Sequence, residues 1–132
     1  MGLDQTAYYK DSSGEQWEIS YWRKHNRLQG WMEQLWEDKG RPNFDPEVGG
    51  FNCTPLPIDE SDLEQLEAHV CNKDLPETGG FFFGDDSFTW EDEDGNPHKG
   101  KDYYHKQTDL DFIEQARKAI KDGNEVFYSC WY

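Results

Sequence analysis

EVFYSCWY, residues 125–132, is built almost wholly from residues that favour extended chain. Read at period two, Val126, Tyr128 and Cys130 point one way and Phe127, Ser129 and Trp131 the other. A strand at this point needs a partner. FNCTPLP, residues 51–57, is the best candidate: short, apolar, and confined by its two prolines to the edge or end of a sheet. The reading that follows is a small sheet in which residues 51–56 lie beside 125–131, with helices packed against it.

The segment after the first of these strands announces a helix over 59–73. Asp59 suits the N-cap, Ile58 and Leu63 occupy the two positions of a hydrophobic staple, and Asp62 sits at N3. Leu63, Leu66 and Val70 form its apolar stripe, while Glu60, Glu64 and Glu67 face water. The segment before the last strand predicts another helix, capped by Thr108. Asp109, Asp111 and Glu114 lie near its start and Arg117, Lys118 and Lys121 near its end, as the helix dipole prefers. Its core face is Phe112, Ile113, Ala116 and Ile120, and Gly123 stands at C′.

Upstream, Trp22, Leu28, Trp31, Met32, Leu35 and Trp36 recur at helical spacing and predict a helix from about residue 20 to 38. Gly30 inside it costs about 1 kcal/mol against alanine, which implies that something packs closely there. Residues 1–14, polar and ending in Ser12-Ser13-Gly14, read as a loose lead-in. The order is helix, strand, helix, aromatic segment, acidic hairpin or loop at 85–101, helix, strand. The fold class is α+β, in a single domain over 1–132.

Between the second and third helices lies LPETGGFFFG, residues 75–84. Glycines bracket three phenylalanines, a pattern suited neither to a helix nor to a half-buried strand. One reading places Phe81 and Phe83 between the first and third helices as filler. The other makes the phenylalanines, with Trp90, an apolar anchor rimmed by acids, as many binding hot spots are.

Bulk composition narrows the function. The chain holds 28 Asp and Glu against 13 Lys and Arg, a formal net charge of -15, yet 16% of its residues are aromatic. Few but large side chains can therefore build a core despite a mean hydropathy of -1.10. The charge is uneven: residues 51–80 carry 7 acids and one base, and residues 81–101 carry 6 acids and 2 bases. Such a field repels nucleic-acid phosphates and anionic membranes and favours a basic protein surface. No stretch approaches the ~20 apolar residues of a membrane span, and the N-terminus has no signal-peptide core.

Recognisable chemistry is sparse. Cys53, Cys71 and Cys130 and the four histidines are scattered without metal-site spacing, although Cys53 and Cys130 become neighbours if their strands pair. An odd number of cysteines reads as reduced thiols. Gly49-Gly50 and Gly79-Gly80 lack the pattern of a phosphate cradle, and no serine lies in a nucleophile elbow. The expectation is a protein without catalytic residues, cofactor or metal.

Four pieces in order, YWRKHNRLQGWM, a strand with a capped acidic helix, LPETGGFFFG, and a helix leading into EVFYSCWY, resemble a group of small acidic proteins of tailed bacteriophages. Those share a Y-[WL]-R-K-x-N helix, an L-P-x-x-x-G-F-F-F-G block and an aromatic C-terminal strand. The resemblance spans most of residues 19–132 and departs at 85–101, which is longer and more acidic here. It implies a phage origin and the host cytoplasm, and it supplies no catalytic residues. The functional expectation is a non-enzymatic accessory protein that binds a host or phage protein as an inhibitor or modulator. Acidic mimicry of nucleic acid is its most specific form. The candidate partner-binding residues are Glu60, Glu64, Glu67, Asp85, Asp86, Trp90, Glu91, Asp92, Glu93 and Asp94. The competing expectation is a small-molecule binder or small enzyme with an aromatic-lined pocket. Oligomeric state is left open.

Overall fold

The computed structural model describes residues 2–78, 87–88 and 103–132. The chain is α+β, and the described residues form three helices on a four-stranded antiparallel sheet. In chain order the elements are β1 (Asp4–Lys10), β2 (Gln16–Arg23), α1 (Asn26–Asp38), β3 (Leu56–Ile58), α2 (Glu60–Asn72), α3 (Lys106–Lys121) and β4 (Glu125–Trp131). The strand order across the sheet is β2-β1-β4-β3.

The expected pairing of the last strand holds: Leu56 lies opposite Tyr128, Pro57 opposite Phe127 and Ile58 opposite Val126. Upstream of β3 the Cys53 amide still donates to the Cys130 carbonyl at 2.7 Å. The strand itself is shorter than the 51–56 expected from sequence. Residues 51–53 turn instead, with Cys53 at φ 59, and extended pairing begins only at Leu56. The alternation in β4 is as read, with Val126, Tyr128 and Cys130 buried against the helices.

The N-terminal quarter requires correction. Residues 4–10 are not a lead-in but β1, a central strand paired on both sides. Its inward positions are Gln5 and Ala7, one polar and one small, so no hydrophobic alternation marked it. The Ser12-Ser13-Gly14 punctuation is the turn of a hairpin. The Asp11 carboxylate accepts from the Ser13 and Glu15 amides at 2.9 and 3.1 Å, and Gly14 adopts φ 86. Residues 16–23 are likewise strand, so the helix expected from about residue 20 begins only at Asn26. Trp22 belongs to β2, where it faces inward and prolongs the stripe of α1 by coincidence of direction. Lys24, at φ 55, breaks the strand from the helix.

α1 buries Leu28, Met32 and Trp36 and half-buries Trp31 and Leu35. Gly30 is where the chain comes close: a Cβ there would collide with the Thr78 side chain. α2 starts as expected. Asp59 accepts from the Asp62 amide and the Asp62 side chain accepts from the Asp59 amide, both at 2.9 Å, closing a capping box. Ile58 and Leu63 of the staple are both buried. α3 begins three residues earlier than expected, after His105, so Thr108 lies inside the helix rather than capping it. Gly123, at φ 89, closes its C-terminus as C′.

The core joins the three helices to the inner sheet face. The Trp22 ring meets Phe112 edge-on at 5.3 Å, and Phe51 stacks on Tyr128 at 6.0 Å and packs at a tilt against Trp36 at 5.2 Å. The phenylalanine run and the expected hairpin at 85–101, apart from Ser87 and Phe88, lie outside the described residues.

Candidate functional site

Inside this apolar frame sits a connected set of buried polar side chains. It is built from ordinary local geometry. Asp109 shares a helical stripe with Phe112, Ile113 and Ala116, so α3 carries a carboxylate inward. His25 and Gln29 precede and share the stripe of Leu28, Met32 and Trp36, so the start of α1 brings an imidazole and an amide to the same place.

Asp109 is fully buried and accepts three side-chain donors: the Trp22 indole N–H at 2.8 Å, His25 Nε2–H at 2.8 Å and the Tyr103 hydroxyl at 2.5 Å. In the neutral ring His25 Nδ1 then accepts from the Ser87 hydroxyl at 2.9 Å. The Ser87 oxygen itself accepts from the Arg27 amide at 3.2 Å, and the Ser87 amide donates to Asn26 Oδ1 at 2.9 Å. A second branch starts at the His25 backbone, whose N–H and C=O both bond the Gln5 amide, at 2.8 and 2.9 Å. Gln5 also donates to the Tyr128 hydroxyl at 2.9 Å. Tyr128 donates to Gln29 Oε1 at 2.5 Å, and Gln29 donates to Cys130 Sγ at 3.2 Å. Among the described residues, no buried side-chain nitrogen or oxygen lacks a partner.

Enclosure shows in the titrating groups. Burial, reinforced by the Asp109 charge, holds the Tyr103 hydroxyl well above its ordinary value. Burial, then the neighbouring His25, lowers His105 to about 4; its ring stacks on that of His25 at 4.5 Å. Burial pushes the Cys130 thiol up to about 12, so this cysteine is a buried small side chain rather than a nucleophile.

Ser87, His25 and Asp109 follow one another as a nucleophile, base and orienting acid would. The arrangement differs from a working nucleophile in one respect. The serine oxygen is engaged by the Arg27 amide, so Ser87 caps the α1 N-terminus from elsewhere in the chain, where His25 supplies no side-chain cap. Phe88 continues the attachment: the Arg27 guanidinium lies over its ring at 4.2 Å, and the Tyr103 ring packs on it at 4.6 Å. Arg27 also donates to the Leu75 carbonyl at 2.8 Å. The YWRKHNR stretch is thus an anchoring sequence: Trp22 and His25 hold Asp109, while Asn26 and Arg27 hold residues 87–88.

No protein family, curated protein or solved structure matches this chain.

Of the expected partner-binding residues, Glu60 and Glu64 are exposed on α2, and Glu67 forms a two-pronged pair with Arg117 of α3 at 2.8 and 3.3 Å. That pair raises Arg117, with smaller contributions from Glu60 and Glu64. The acidic face of α2 therefore runs beside one cation. Asp85, Asp86, Trp90, Glu91, Asp92, Glu93 and Asp94 lie outside the described residues. Among the described residues there is no cluster of three or more His, Cys, Asp or Glu placed to hold a metal, and no helix long and apolar enough to cross a membrane. Depressions of about 250 and about 300 Å³ flank α3, each lined by a single aromatic ring, Tyr9 in one and Phe127 in the other.

Sequence reasoning missed the polar centre. From sequence Asp109 reads only as a complement to the helix dipole, although its spacing from Phe112 and Ala116 puts it on the inward stripe. Gln5 carried no such signal, because β1 itself was not recognised.

Proposed function

We propose that this chain is a non-enzymatic accessory protein, of tailed-phage type and acting in the host cytoplasm. It binds a host or phage protein through a basic surface on that partner and inhibits or modulates it. The observation that carries this reading is the contrast between interior and surface charge. The buried polar groups are matched to one another, whereas the acid excess lies outside them, with Glu60 and Glu64 exposed on α2 and a net charge of -15 overall. Such a surface attracts a basic protein at long range and gains little from nucleic acid or an anionic membrane. Mimicry of nucleic acid is the specific form of this reading, and its row of acids on α2 would have to include or displace the Arg117–Glu67 pair. Affinity capture from host lysate tests the proposal. The expected result is a basic protein retained at low salt and released as salt rises; retention indifferent to salt argues against a charged interface.

The order Ser87–His25–Asp109 favours a second reading, a small acyl-transfer enzyme. An active-site-directed fluorophosphonate separates the two. With Ser87 capping α1, no labelling is expected; labelling abolished by Ser87→Ala would establish the enzyme.

A further inference from the structure

Among the described residues, the three helices lie on the inner side of the sheet and none packs on the opposite side, which carries a patterned set of residues. β1 presents Asp4, Thr6, Tyr8 and Lys10 there, and β4 presents Glu125, Phe127, Ser129 and Trp131. β2 adds Tyr21 and Arg23. Trp131 is 67% exposed and Tyr21 50% exposed. This side carries Asp4, Glu18 and Glu125 against Lys10 and Arg23, one acid in excess within a chain of net charge -15.

The register arranges these residues by size. One cross-strand row is small at its centre, with Thr6 beside Ser129, and the next is large, with Tyr8 stacked on Phe127 at 5.4 Å. Along β1 the charges fall at opposite ends, Asp4 at one and Lys10 at the other. A two-fold axis lying across the strands at Ala7 and Tyr128 exchanges the rows. It sets Tyr8 and Phe127 of each copy over Thr6 and Ser129 of the other, ring into hollow, and Asp4 over Lys10 twice. That is the self-complementarity a closed two-fold contact demands.

We propose that the outer face of this sheet, where Tyr21 and Trp131 are exposed, is a self-association surface, on which a second copy of the chain docks sheet to sheet about that axis. The nearly balanced charge selects the occupant. A strongly basic partner gains little on this face, whereas a second copy meets here one acid in excess rather than the acidic face of α2. Three strands of about seven residues span roughly 23 by 14 Å, small against the ~800 Å² per partner of a standard interface. The dimer is therefore weak and concentration-dependent. Salt strengthens it by screening the repulsion between the two chains, opposite in sign to the response expected for a basic partner. The inference is independent of the proposed partner.

Sedimentation velocity of the full chain, from low to high micromolar concentration and at low and high salt, tests it. The expected result is a monomer–dimer equilibrium that shifts toward dimer with salt. Lys10→Asp, which sets two acids against each other twice, and Ser129→Trp, which fills the hollow, should each weaken it about tenfold or more. Asp4→Lys combined with Lys10→Asp should regain most of the loss. Lys10 and Ser129 are on the outer surface, so an unchanged unfolding midpoint certifies the fold; where it moves, Lys10→Gln and Ser129→Phe replace them. A monomer under every condition overturns the proposal, and so does a dimer that either variant leaves unchanged.

Discussion

Asp62 and Asp109 are both aspartates in the first turn of a helix, and both are buried, yet they do different work. Asp62 closes a local circuit: it accepts from the Asp59 amide three residues away and from Lys39 Nζ, which also reaches the Pro57 carbonyl at 2.7 Å. Asp109 closes a global one. Its donors come from Trp22 on β2, His25 at the start of α1 and Tyr103 ahead of α3, and it bonds none of its own helix's amides through its side chain among the interactions described. The same residue type, at N3 of one helix and N4 of the other, closes a capping box in one case and forms a hub in the other. What differs is whether the helix presents that position to its own amides or to the core.

The comparison is most easily broken at the hub. Asp109→Ala strands three enclosed donors, each at about 1–3 kcal/mol, and should be the largest loss; the urea midpoint measures it. Asp109→Asn, which keeps one acceptor oxygen, should lose less. Tyr128→Phe deletes the hydroxyl linking Gln5 to Gln29 and leaves two enclosed amides short of a partner, for about 1–3 kcal/mol. At the local circuit, Asp59→Ala should cost about 0.5–2 kcal/mol. An unchanged midpoint there would mean that the α2 cap is idle.

The stacked histidines add a pH response. His105 falls to about 4 in the folded chain from an ordinary value near 6.5, so the unfolded chain binds more protons between those values. This contribution to stability is complete above about pH 6.5 and is lost as pH falls toward 4. His105→Gln should flatten that part of the stability profile, and an unaltered slope would show that His105 is not enclosed in solution. Smallest in effect is Gly30→Ala. In an open helix it gains about 1 kcal/mol, but here the Thr78 side chain stands in the way, so the gain should vanish or reverse. Combining it with Thr78→Ala removes the hydroxyl and methyl but leaves Cβ at 3.0 Å, and should restore only part of the gain.

Much of the fold was legible where local rules decide it. The α2 cap and staple, the stripe of α3, Gly123 at C′, and the pairing of β3 with β4 each rest on a few neighbouring residues or on period-two burial. Gly30 also signalled correctly, because a glycine inside a helix is costly unless something approaches. The N-terminal hairpin was not legible, since its central strand turns Gln5 and Ala7 inward and its stabilisation comes from pairing on both sides. Trp22 was assigned to the wrong element because one inward residue at a strand end looks like the first residue of a helical stripe. The polar centre was hidden for a related reason. Each member has an ordinary local reading, and only the tertiary arrangement makes Asp109, His25 and Ser87 partners. For the binding face, the sequence showed where acids accumulate but not that Glu67 is engaged by Arg117.

Native-state hydrogen exchange tests the hub most directly. In the parent chain the Trp22 indole N–H, the Arg27 amide and the first-turn amides of α3 should open together, with one common free energy. Asp109→Asn should lower that value for all of them while leaving the α2 amides protected as before. A loss of protection confined to the first turn of α3 would show that Asp109 is only a local feature of its own helix and would contradict its role as the hub.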